Sequence, residues 1–152
     1  MNDYHLNLGI QFENTNIFIP WKTRNKDLVK IGNPKVEKDS EEVTIYWPSS
    51  SLLYGLVGDW EVMYYNHKKY EYFYSIGLLF AGDDIAFKKY DEIKNHITAT
   101  FGLPDLIKEE VGEKRIKWVL SEVELYLYLF EMHEFRVTFD IINLKEFNSI
   151  SF

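Results

Sequence analysis

The stretch RIKWVLSEVELYLYLFEMHEFRVTFDII, residues 115–142, decides the fold. From Val123 to Phe130 apolar and polar residues alternate: Val123, Leu125, Leu127 and Leu129 point one way, Glu122, Glu124, Tyr126 and Tyr128 the other. The following run repeats the pattern, with Phe135, Val137, Phe139 and Ile141 inward and Arg136, Thr138 and Asp140 outward. A period of two is the mark of a half-buried strand, and the breaks near Ser121 and at Glu131 to Glu134 are short enough for hairpins. Three successive antiparallel strands are therefore predicted, and their apolar face requires a covering layer.

That layer lies just upstream. Phe87, Tyr90, Ile93, Ile97 and Phe101 recur at steps of three and four, which predicts a helix with one apolar face, capped by Asp83 or Asp84. Gly102-Leu103-Pro104 ends it, because glycine tolerates positive φ past the last turn and proline blocks resumption. Lys108 to Lys114 reads as a charged connector to the strands.

The same order occurs earlier in the chain. Gly32-Asn33-Pro34 precedes Gly102-Leu103-Pro104 by 70 positions and ends a short helical pattern, Arg24 to Ile31, with Thr23 as its cap. A charged connector, Glu37 to Glu42, leads to the strand VTIYW (43–47), a turn-prone stretch at Pro48 to Ser51, and LLYGLV (52–57). Gly58-Asp59, WEVMYY (60–65), a turn at Asn66 to Lys69 and YEYFYSIGLLF (70–80) follow. Alternation separates Trp60, Val62 and Tyr64 from Glu61, Met63 and Tyr65. Before the first helix, LNLGIQF and NIFIP flank the turn signal at Glu13 to Asn16 and predict a hairpin. The expected fold class is α+β: duplicated α-β-β-β(-β) units forming a largely antiparallel sheet with helices packed on one face. One domain spans 1–152, with pseudo-repeats over about 9–82 and 83–142 and a tail, 143–152, that forms a short helix or an edge segment.

Composition narrows the function classes. With 46% hydrophobic and 27% charged residues, the 152-residue chain has the balance of a single globular domain. No window approaches the roughly 18 apolar residues of a membrane helix, and the first residues lack a secretory pattern, so a soluble, cytoplasmic protein is expected. A formal charge of −7 disfavours nucleic acid and anionic membranes as partners and admits a cationic protein. Cysteine is absent, which removes disulfides and thiolate chemistry.

No phosphate loop, nucleophile elbow, dinucleotide fingerprint or His-Glu-x-x-His motif is present. The histidines, His5, His67, His96 and His133, are scattered, and only Glu131, His133 and Glu134 cluster. Neither a metal nor a cofactor is therefore expected, and the protein is read as a non-enzyme. The pairs Asp83-Asp84, Glu41-Glu42 and Glu109-Glu110 read as capping or solvated residues. Trp21, Trp47, Trp60 and Trp118 read mainly as core.

What stands out is 26 aromatics, some of them on the sheet face turned from the helices. Tyrosine there stabilises strand pairing, and it also offers rigid contact area with a polar tip to a protein partner. Asp59, Glu61, Glu122, Glu124 and Asp140 make the same face acidic beside Tyr126 and Tyr128. These seven are the candidate partner-binding residues.

The helix stops IGNP and FGLP, with a Trp- and Tyr-rich sheet after each, resemble the tandem-repeat fold of the beta-lactamase inhibitor protein. They also resemble the small acidic immunity proteins encoded beside bacterial polymorphic or contact-dependent toxins. The opening IQFENTNIFIPWKTRNKDL (10–28) is similar to the start of several such immunity-type families, and the resemblance runs from about Gly9 to Ile142. It implies a non-enzymatic protein that neutralises a cognate toxin domain by surface complementarity, with no site residue fixed by position. Without cysteine the inhibitor's disulfides cannot form, which favours the immunity role. The alternatives are a small-ligand-binding or structural protein with an aromatic pocket, and a homodimer that uses the aromatic sheet face.

Overall fold

The computed structural model describes residues 6–66 and 72–148. The expected turn at Asn66 to Lys69 lies outside the described residues beyond Asn66, as do His5, His67 and the tail from 149 onward.

The strands are β1 (Gly9–Gln11), β2 (Phe18–Pro20), β3 (Lys35–Lys38), β4 (Glu42–Leu52), β5 (Leu56–Tyr65), β6 (Ser75–Ala81), β7 (Leu106–Glu110), β8 (Glu113–Leu120), β9 (Val123–Met132) and β10 (Glu134–Asn143). Helix α1 (Asp83–Phe101) follows β6, and α2 (Leu144–Asn148) follows β10. β1 and β2 form the predicted hairpin. The other eight make one antiparallel sheet in the order β3-β4-β5-β6-β10-β9-β8-β7, so two four-stranded meanders meet at the β6–β10 seam.

Period-two burial runs through the sheet. Val43, Ile45, Trp47, Trp60, Val62, Leu125, Leu127, Leu129, Val137, Phe139 and Ile141 are buried on one face. Ala86, Tyr90, Ile93 and Ile97 of α1 pack there, joined by Phe12, Ile19, Trp21 and Leu28 from the N-terminal segment. Their neighbours along each strand are half-buried or exposed. All four tryptophans are buried. Two of them make matching bonds: Trp47 Nε1 donates to the Ile31 carbonyl (2.8 Å) and Trp118 Nε1 to the Gly102 carbonyl (3.1 Å), in both cases 16 residues back in the chain. Each indole thus ties the second strand of a meander to the end of the preceding helix, where Gly32 and Gly102 both have positive φ.

Several boundaries differ from the sequence reading. The first helix is only a 3-10 helix, Asn25–Lys30, with Arg24 at its N-cap and no side-chain cap. Thr23 Oγ1 donates instead to the Pro20 carbonyl. Gly82 occupies the N-cap of α1, and Asp83 turns outward to accept the Phe135 amide (2.8 Å), tying the helix start to β10. Phe87 is 41% exposed, its ring resting on Phe135. The two charged connectors are hairpins: each takes in the end of an edge strand (β3 or β7), a tight turn and the start of the next strand (β4 or β8), and the charges on the edge strands guard them against pairing with other chains.

Pro48 to Ser51 is no turn but the middle of β4, where the register shifts between Trp47 and Ser50. Gly58-Asp59 lies inside β5, and the hairpin turns at Leu53-Tyr54-Gly55 instead. All three residues have positive φ, a costly state for leucine and tyrosine. Glu13 stabilises it, its carboxylate accepting the Tyr54 amide (2.7 Å), the Gly55 amide (2.9 Å) and the Ser51 hydroxyl.

Candidate functional site

The sheet face turned from α1 holds the candidate residues other than Glu122. One cross-strand row runs Lys35, Tyr46, Glu61, Gly77, Asp140, Tyr126, Lys117, Leu106 from edge to edge. Side chains in such a row are nearest neighbours, so the row shows which charges meet.

On the open face of β8 and β9, Glu113 and Glu124 each have a cation. Lys117 Nζ lies 3.5 Å from Glu124 and 5.2 Å from the Tyr126 ring centre. The Arg115 guanidinium sits 4.8 Å over Tyr128 and bonds Glu113. Tyr126, Tyr128 and Phe130 stack along β9. Glu124, Tyr126 and Tyr128 are thus on the expected face, already engaged by β8. Glu122 is not on it: it belongs to the tight β8–β9 turn, where Ser121 has positive φ. Its amide donates to Asn7 Oδ1 and its carbonyl accepts from the Leu144 amide. Asp59 accepts the Ser49 amide (2.9 Å) and closes the β4 irregularity.

The centre of the row is different. Gly77 stands between Glu61 on β5 and Asp140 on β10. The Asp140 carboxylate lies directly over the Gly77 Cα, where any Cβ would collide with Oδ1 and come within 2.8 Å of the Phe139 carbonyl oxygen. Glycine is required there by close approach, and its place in the strand pattern SIGLLF was the available signal. Neither the Glu61 nor the Asp140 side chain has a hydrogen bond or ion pair with a described residue. Burial, helped by the nearby Glu61 charge, pushes Asp140 up to about 7. Burial and then the Glu37 charge raise Glu61 as well.

Beside this pair the sheet opens. Among the described residues β5 and β6 pair at one position only, Glu61 opposite Gly77. Past it the strands diverge around a cleft of about 520 Å³ whose polar lining includes Glu61, Ser75, Thr138 and Asp140. Its aromatic walls come from Tyr64, Tyr65, Tyr72, Phe73, Tyr74 and Phe147, with Tyr74 against Phe147 at 5.4 Å. Sequence reading missed these walls because the rings come from three separate segments. The structure brings Glu61 and Asp140 together, and sets Glu124, Tyr126 and Tyr128 to one side of them.

Glu109, read as a solvated connector residue, instead faces α1. It accepts from the Tyr90 hydroxyl (3.0 Å) and pairs with Lys94 (3.1 Å). Burial raises its carboxyl, but the bonds from Lys94 and Tyr90 outweigh this and hold it below the usual range. This acid pins the edge strand to the helix. Among the described residues no three His, Asp or Glu converge on a metal-sized site, and no helix is long and apolar enough to cross a membrane. Compared with protein-family models, curated proteins and solved structures, the chain matches none.

Proposed function

We propose that the chain is a non-enzymatic protein-binding module, an immunity protein that neutralises a cognate, basic toxin domain through the sheet face opposite α1. The observation that carries this reading is the open face itself. It crosses all eight strands and combines half-buried tyrosines with exposed Met63 and Leu79 and with two acids that have no cation among the described residues. Rigid aromatic area beside uncompensated charge suits a surface that meets a cationic protein. The matching tryptophan bonds and mirrored strand order support a duplicated ancestral unit, which would account for so wide a face in a small chain.

The test is co-expression with the toxin domain encoded beside it. Cells carrying that domain survive only when this chain is present, and the two proteins co-purify. Glu61→Lys slows their association about tenfold at low salt, whereas Glu124→Lys, at a site Lys117 already neutralises, slows it less. Failure to protect together with failure to co-purify overturns the reading.

A further inference from the structure

Within that protein-binding reading, on which this inference rests, we propose that the cleft between β5 and β6 is a socket for one basic side chain, lysine or arginine, of the protein partner. Three independent features point to a cationic head on an apolar stem. The floor holds two carboxylates, Glu61 and Asp140, drawn together on either side of Gly77. Nothing described neutralises them, although Lys117 lies two positions beyond Asp140 in the same row, past Tyr126. The Lys117 ammonium is directed to Glu124 and Tyr126 and leaves the centre negative.

The walls are rings rather than polar side chains. Tyr65, Tyr72, Tyr74 and Phe147 line the cleft, and aromatic side chains suit a methylene stem and reward a cation. The opening, about 520 Å³, is larger than one side chain needs, so backbone of the partner can enter behind it. Gly77 completes the design. By omitting a Cβ it lets the Asp140 carboxylate lie across the sheet at the cleft floor. A half-buried acid without a partner costs stability, and a cation docking on it from outside recovers that cost in the complex.

The experiment titrates isotope-labelled protein with the methylamides of N-acetyl-lysine, N-acetyl-arginine and N-acetyl-norleucine, the last a neutral match for the lysine stem. Saturable amide shifts at Gly77, Thr138 and Asp140 are expected in the millimolar range with the two cations and not with norleucine. Asp140→Asn weakens binding at least tenfold while the remaining spectrum stays folded; Glu61→Gln weakens it less. Equal responses to lysine and norleucine, shifts centred elsewhere, or binding untouched by Asp140→Asn each overturn the socket. A toxin complex whose dissociation rate is unchanged by Asp140→Asn also overturns it and leaves the protein-binding reading standing. Cation binding without toxin protection has the opposite meaning: the site is real and the partner assignment is wrong.

Discussion

The two halves of the open sheet face use the same residue types to opposite effect. On β8 and β9, Glu113 and Glu124 stand beside tyrosines, and Arg115 and Lys117 cover them. At the β5–β6–β10 centre, Glu61 and Asp140 also stand among tyrosines, but the residue between them is glycine. The first arrangement is a self-satisfied surface ladder, whose exposed ion pairs contribute little and whose charge is spent internally. The second keeps its charge uncompensated and partly desolvated. Acid content alone does not make a docking site; the identity of the cross-strand neighbour does.

The sharpest way to break this contrast is at the glycine. Gly77→Ala places a methyl against Asp140 Oδ1 and the Phe139 carbonyl, and should lower unfolding free energy by about 2–4 kcal/mol in urea titrations. Adding Asp140→Ala should restore part of the loss but not all, because the backbone carbonyl remains. A fully stable Gly77→Ala protein would mean that the carboxylate does not rest on that glycine.

Asp140 itself gives the next effect, through pH. Its carboxyl lies near 7 in the folded protein and near 3.8 when unfolded, so between these values the folded state holds the extra proton. Stability from this group is complete below about pH 4 and is lost as pH rises toward 7. Charged and titratable groups around it are Glu61 on β5, Tyr126 on β9 with Lys117 behind it, and Arg136 further along β10; β6 presents only Ser75, Gly77 and Leu79. Asp140→Asn should therefore match the parent at pH 4 and exceed it at pH 8 by about 1–3 kcal/mol in thermal or urea unfolding. Glu61→Gln should act in the same direction. A variant less stable than the parent at pH 8 would show that the carboxylate is held by favourable contacts.

The compensated half should yield the smallest change. Lys117→Ala removes one exposed pair and one ring contact and should cost under about 1 kcal/mol, less still in high salt. If its cost rivals the Asp140→Asn gain, the ladder is more than surface dressing.

Particular residues show how far the chain alone could be read. The alternation from Val123 to Leu129 and from Phe135 to Ile141 named the buried face correctly, because a strand's two faces follow from local stereochemistry. Trp60 and Val62 were separated from Glu61 and Met63 on the same ground. The helix stops were visible because positive φ at Gly32 and Gly102 is a local requirement. Reading failed where a segment's state depends on distant partners. Pro48 to Ser51 looked like a turn, yet β5 and Asn14 hold it in β4 through bonds to Ser49 and Ser51. Glu37 to Glu42 and Lys108 to Lys114 read as connectors and hid the edge strands Lys35–Lys38 and Leu106–Glu110, because an edge strand has little apolar pattern to show. Glu122 missed the sheet face by one position, since the turn at Ser121 is tighter than its composition implied.

By itself, then, the sequence determined the α+β class, the inward and outward sets of the main strands, the N-terminal hairpin and the two glycine stops. These depend on periodicity and backbone freedom, which neighbours in the chain decide. Only the tertiary structure decided which acids are paired and which are left facing a cleft. That depends on register between segments far apart in the chain, which sets Asp140 against Gly77 and Lys117 against Tyr126. A shift of one residue would have exchanged the faces and dissolved both arrangements.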